Sequence, residues 1–167
     1  MIGPAGPAGA QGPAGPAGPA GTTGQAGVSA FGTGTLSVIA TTPATVIPGL
    51  TRTYDVPAGA VVYLSADGAI RSTSAQASGS SQVDIAFVVD NNGLVNGGYH
   101  RVVAANTNGV GNMIANWQMS AIVTVPAGNH TFAVVAQGVT GSNSEAQVSG
   151  DNTSVLQGTL NVVVLKQ

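Results

Sequence analysis

Asn116-Trp117-Gln118-Met119-Ser120-Ala121-Ile122-Val123-Thr124-Val125 is the stretch on which the fold turns. Trp117, Met119, Ala121, Val123 and Val125 fall on one side of a period of two, and Asn116, Gln118, Ser120 and Thr124 mostly on the other. Side chains alternate across an extended chain, so the pattern predicts a β-strand with one apolar face. Gln82 to Asp90 repeats it, with Val83, Ile85, Phe87 and Val89 on one face. Thr131 to Ala136 and Thr159 to Leu165 read the same way. Between them stand turn formers: Pro57-Ala58-Gly59, Asn91-Asn92-Gly93, Pro126-Ala127-Gly128 and Gly150-Asp151-Asn152. No segment carries an apolar stripe of helical period with caps.

Strands are predicted near 35–42, 44–47, 51–56, 60–66, 69–74, 82–89, 97–104, 112–125, 128–139, 144–149 and 155–166. Many short strands between Gly, Pro and Asn turns make an all-β sandwich or barrel. Val134-Val135 and Val162-Val163-Val164-Leu165 are apolar on both faces. One face of such a strand fills the interior, and the other needs a second cover, which packing between copies would supply. Phe87, Trp117, Met119, Phe132, Val162 and Val164 are the expected residues of the head core or of a subunit seam.

Composition agrees with a surface buried against itself. Charged residues are 6% of the 167 and apolar residues 43%, against roughly 25% charged in an ordinary soluble domain. A spanning helix needs about 20 consecutive apolar residues, and the apolar runs here are only strand-length. No membrane span is expected, and no basic-then-apolar secretory signal opens the chain. The basic residues are Arg52, Arg71, Arg101 and Lys166. Four scattered cations give no nucleic-acid footprint. With no Cys, disulfides and thiolate metal sites are excluded.

Before Ala30 the period is three, not two. Glycine stands at Gly3, Gly6, Gly9, Gly12, Gly15, Gly18, Gly21, Gly24 and Gly27, and five of these nine triplets read Gly-Pro-Ala. Three polyproline-II chains wound together turn every third residue toward an axis where only Gly fits. Proline after Gly pre-sets φ and lowers the entropy lost on ordering. These glycines are the expected axis of a collagen triple helix over residues 1–29, with a head domain over 30–167. A rod of 27 residues would be on the order of 80 Å long. It carries no charge to set its register, so a head that trimerises is expected to hold the chains together.

The triplets 3–29, the closing stretch Gln157 to Leu165, and Val125-Pro126-Ala127-Gly128-Asn129-His130-Thr131-Phe132 carry a resemblance. The chain resembles collagen-like proteins with trimeric heads of the complement and tumour-necrosis-factor type, and the collagen-like exosporium glycoproteins of spore-forming bacteria. The resemblance implies a jelly-roll β-sandwich head and a parallel homotrimer whose head registers the rod.

Catalytic patterns are missing. There is no Gly-x-Ser-x-Gly elbow and no recognisable pair of acid/base carboxylates, and Glu145 is the only Glu. No cofactor is expected. Asp84, Asp90 and Asp151 are the oxygen donors calcium would use, although Asp90-Asn91-Asn92-Gly93 reads fully as a hairpin turn. An axial ion would need three copies of His100 or His130 on a three-fold axis. Arg52, Asp55, Arg71, Asp84 and Arg101 are candidates for ion pairs between subunits.

The expected function is therefore non-enzymatic: a structural subunit of an extracellular or spore-surface fibre. Met1 and Ile2 precede the rod, and three copies would form an apolar plug for head-to-tail docking onto the next trimer. The alternative is a phage tail-fibre tip or adhesin that binds a glycan or receptor. Tyr99, His100 and the 71–82 and 104–112 loops are its candidate surface.

Overall fold

The structure, a computed structural model, describes Gly3 and residues 24–166. Among these residues there is no helix, and ten strands run in chain order. They are β1 (Gln25–Phe31), β2 (Leu36–Val38), β3 (Thr45–Val56), β4 (Val61–Ser72), β5 (Ser80–Val89), β6 (Leu94–Ala105), β7 (Ile114–Val123), β8 (Gly128–Gly138), β9 (Ala146–Val148) and β10 (Thr159–Leu165). All pairings are antiparallel. A six-stranded sheet follows the order β1-β10-β4-β9-β2, with β7 on the other side of β4. A four-stranded sheet follows β3-β8-β5-β6. The two face each other as a β-sandwich.

Alternation decides what lies between them. Val62, Leu64 and Ile70 of β4, Val83, Ile85 and Phe87 of β5, and Phe132 and Val134 of β8 point inward and are wholly buried. Leu160, Val162 and Val164 of β10 complete the same core. β-Branched side chains suit this pleated, two-sided packing. One glycine is required by it: a Cβ on Gly98 would lie 2.6 Å from the Phe87 ring.

The structure corrects three boundaries. Residues 44–47 and 51–56 are one strand, β3, whose register shifts between Val46 and Thr51. Gly49 sits at that shift with φ +85°, a backbone that side chains other than Gly resist. Residues 60–66 and 69–74 are likewise one strand, because Asp67-Gly68 continues β4 instead of turning it. The third correction is β1. The expected stalk ran to residue 29 and the head began at 30, yet Gln25–Phe31 pairs along its full length with β10. Gly27, counted among the axis glycines, stands opposite Val163. Gly24 accepts a backbone hydrogen bond from the Lys166 N–H. Backbone pairing with a long, apolar closing strand outweighs the period of three there. The axis glycines from Gly6 to Gly21, and Met1 and Ile2, lie outside the described residues.

Candidate interaction faces

The outward side of the six-stranded sheet is built in rows. Register sets Gly27 beside Val163, Val163 beside Tyr63 and Tyr63 beside Ile122. Tyr63 is 37% exposed and Ile122 67%. Phe31, at the end of β1, is also exposed. The neighbouring row is Ser29, Asn161, Ser65 and Ser120. Ser29 Oγ donates to Asn161 Oδ1 (2.6 Å), and Asn161 Nδ2 donates to Ser65 Oγ (3.4 Å). Neither row carries a charge. Large apolar side chains thus stand beside a neutral polar ladder. β1 forms the border of this face, and Arg52 of β3 ties it to the other sheet by donating from Nε to the Ser29 carbonyl (2.7 Å).

The outward side of the four-stranded sheet is different. Ala86 and Val88 of β5 and Ala133 and Val135 of β8 form a second small buried cluster. Beside it lies Asp84, buried although it points away from the core. Arg101 on β6 stands opposite and donates from Nε to Oδ1 (2.7 Å) and from Nη2 to Oδ2 (2.9 Å). The Tyr99 hydroxyl donates to Oδ2 (2.5 Å). The Arg101 hydrogen bonds hold the Asp84 carboxyl below its ordinary value against the opposing effect of burial, with help from Tyr99. The hydrogen bond to the same carboxylate pushes the Tyr99 phenol up, since only the protonated phenol can donate it. This pair was expected between subunits; it closes within one chain. Of the other cations considered for such a pair, Arg71 hydrogen-bonds Gln147 and Arg52 the Ser29 carbonyl.

A third cluster clamps two turns. Asp90 (φ +53°) and Asn91 (φ +55°) end β5 in left-handed backbone, which Asn and Asp tolerate better than most residues. Asp90 Oδ1 accepts from the Thr131 N–H (2.8 Å), and Oδ2 lies 2.7 Å from His130 Nδ1. His130 Nε2 lies 2.9 Å from the Pro126 carbonyl. A carboxylate and a carbonyl can only accept, so both ring nitrogens donate when the ring is protonated. The Asp90 carboxylate accordingly raises the His130 pKa, and His130 lowers that of Asp90.

These placements settle what the candidate residues can do. Phe87, Trp117, Met119, Phe132, Val162 and Val164 all lie in the core. Of the calcium candidates, Asp84 and Asp90 are consumed by Arg101, Tyr99, His130 and Thr131, and Asp151 accepts from Thr153 N and Oγ1. Among the described residues no three His, Asp or Glu side chains converge for a metal. His100 stands on β6 opposite Ile85, far in the chain from His130. Tyr99 and His100 do not make one patch, since neighbours on a strand point to opposite sides and the Tyr99 hydroxyl is engaged. The Asp84–Tyr99–Arg101 triad escaped sequence reading, though a lone Asp in the apolar run V-D-I-A-F-V-V was its visible sign. No helix of the described residues is long and apolar enough to cross a membrane. The chain matches no known protein family and no curated protein sequence.

Proposed function

We propose that the chain is a non-enzymatic structural subunit in which three copies wind their triplets into a collagen rod and pack their heads as a parallel homotrimer. The observation that carries this reading is the unbroken period of three from Gly3 to Gly27 running directly into an edge strand of the sandwich. Only a triple helix asks for Gly at every third position. Gly27 adds weight. In β1 a Cβ there would make only ordinary contacts, 3.5 Å from Val163 Cγ2 and 3.6 Å from the Val162 carbonyl oxygen. The sheet has room for a side chain, so nothing in β1 itself requires the glycine that continues the repeat past the end of the rod.

The rod delivers its chains to the border of the face that exposes Tyr63 and Ile122 on a row without charge. Two further copies of the head cover that face in this reading. The strand order β1-β10-β4-β7 opposite β3-β8-β5-β6 supports a jelly roll of the kind found in collagen-stalked trimeric heads. Because β1 begins at Gln25, the rod is the seven triplets from Gly3 to Thr23, on the order of 60 Å. In this reading the stalk docks head to tail on the next trimer, a contact that does not close on itself and so builds a fibre. The setting is an extracellular or spore surface; a virion tail fibre would use the same parts. The engagement of both His130 nitrogens and of the Asp84 and Asp90 carboxylates in structural bonds supports a non-catalytic role.

Circular dichroism tests the rod. The positive band of a triple helix is expected, with a melting step separate from that of the head. Gly15→Asp should abolish that step and leave the heads trimeric. Heads that dissociate in Gly15→Asp would move the trimerising role from head to rod, and a missing band would remove the rod.

A further inference from the structure

Three exposed asparagines stand directly before a glycine: Asn92-Gly93, Asn96-Gly97 and Asn108-Gly109. The three glycines have positive φ, at +69°, +77° and +87°. A Cβ on any of them would meet nothing within 4 Å. Left-handed backbone asks for glycine at such positions. The same glycine leaves its peptide nitrogen unshielded beside an asparagine amide.

The fold treats the three differently. Asn96 lies inside β6, between Leu94, which pairs with Val88, and Tyr99, which pairs with Ala86. Asn108 and Gly109 form the tip of a turn closed by two bonds. The Thr107 N–H donates to the Val110 carbonyl (3.1 Å), and the Val110 N–H donates to the Thr107 carbonyl (2.9 Å). Asn92 lies in the hairpin between β5 and β6. Its N–H donates to the Val89 carbonyl (2.9 Å), and Asp90 before it is held by His130 and Thr131. After Asn92 that support ends: among the described residues the Gly93 N–H has no acceptor. A peptide held on one side only can turn its nitrogen toward the Asn92 side chain. The hairpin joins two strands of the four-stranded sheet, so it is off the face through Tyr63.

We propose that Asn92-Gly93 is a self-modifying site, where asparagine becomes aspartate and isoaspartate with water as the co-reactant. The Gly93 nitrogen gives its proton to hydroxide and attacks Asn92 Cγ. The new C–N bond closes a five-membered imide. The side-chain nitrogen leaves as ammonia, taking a proton from water and so restoring the hydroxide. Water then opens the imide. Attack at Cγ gives aspartate, and attack at the Asn92 backbone carbonyl carbon gives isoaspartate. Nothing is oxidised or reduced. Each event adds one negative charge to a chain of net charge −2, two residues from the Asp90 carboxylate that holds His130. The hairpin thus carries a slow, one-way charge switch set by age and alkalinity.

The full chain, kept folded in mildly alkaline buffer, is sampled over weeks by peptide mapping with mass spectrometry. The Asn92 peptide should gain one mass unit and become a substrate for an isoaspartyl methyltransferase. Asn152 is the internal reference. It is exposed too, but it precedes Thr153, which has a Cβ and whose N–H donates to Asp151 Oδ1 (3.0 Å). Asn92 should convert roughly tenfold faster than Asn152, which lacks the following glycine. Asn92 should also outrun Asn96 and Asn108, and in urea these three should converge. Conversion at Asn92 no faster than at Asn152 overturns the proposal, as does earlier conversion at Asn96 or Asn108. A lead of Asn92 that survives in urea also overturns it, because the fold then has no part in selecting the site.

Discussion

The two outward faces of the sandwich deal with exposure in different ways. On the four-stranded sheet the outward side chains at the centre are small, and Ala86, Val88, Ala133 and Val135 cover one another. The one carboxylate there is held by Arg101 and Tyr99. On the six-stranded sheet Tyr63 and Ile122 stand out into solvent on a row without charge. Both faces share one chain, one core and one alternation of side chains. The centre of the first face is completed within a single chain, and its exposed Tyr99 and Val103 stand at the β6 edge, whereas the second face exposes Tyr63 and Ile122 on its central strands β4 and β7. β1, which follows the Gly-X-Y triplets, borders the second. The Asp84 and Arg101 charges on the first face are thus paired internally, and the second presents two adjoining rows, through Tyr63 and Ser65, that carry none.

The strongest way to break this contrast is to set an acid on each face. Ala133→Asp places an unpaired carboxylate at a position 2% exposed, at a cost of about 3–5 kcal/mol. Urea unfolding of the head should show the midpoint fall with the slope kept; an unchanged midpoint would mean that the four-stranded face is as open as the other. A smaller loss is expected from Arg101→Met, which strands the buried Asp84. Asp84 titrates below its ordinary 3.8 because Arg101 binds it. The stability it contributes is present above that ordinary value and disappears as pH falls through the lowered one. In Arg101→Met burial outweighs the remaining Tyr99 hydrogen bond at the Asp84 carboxyl, so that loss should be absent and the stability difference from the unaltered chain should shrink as pH falls; a difference that stays constant with pH would place its origin elsewhere.

The His130 clamp gives a milder effect of opposite sign. Its pKa is raised above the ordinary 6.5 by the Asp90 carboxylate. The stabilisation it brings is complete below 6.5 and fades as pH rises through the raised value. Asp90 lies below its ordinary 3.8 and loses its share only as pH falls through that lowered value. The head should be most resistant to urea between these limits and weaken on the alkaline side. His130→Gln should flatten the alkaline slope, and a slope that persists would place its origin elsewhere. The smallest effect on unfolding belongs to Ile122→Asp, within about 0.5 kcal/mol of the unaltered head, as for an exposed site. The same change should weaken association of the heads, and this pairing of outcomes separates the two faces most sharply.

Much of this sandwich is legible in the sequence, because period-two alternation reports burial directly. Val83, Ile85 and Phe87 read as one inward face, as do Trp117, Met119 and Ala121, and the structure places them there. β1 was hidden because two periods overlap in it. Ala26, Val28 and Ala30 alternate as a strand requires, while Gly24 and Gly27 keep the period of three. Its partner lies far along the chain, as the Ser29–Asn161 bond across 132 residues illustrates, so local pattern could not choose. Gly68 read as a turn for a related reason. A glycine in mid-strand is explained only by the Trp117 indole packed on it. Parity alone shows that Asp84 points away from Val83 and Ile85, but its partners depend on the β5–β6 register. Asp90 and His130, 40 residues apart, meet only when two turns come together, which no spacing announces.

The central claim is that three identical chains meet along one axis. Sedimentation equilibrium of the full chain in dilute buffer tests it most directly. The account predicts a single species of three times the 16.2 kDa chain mass. A well-folded protein sedimenting at 16.2 kDa would contradict it.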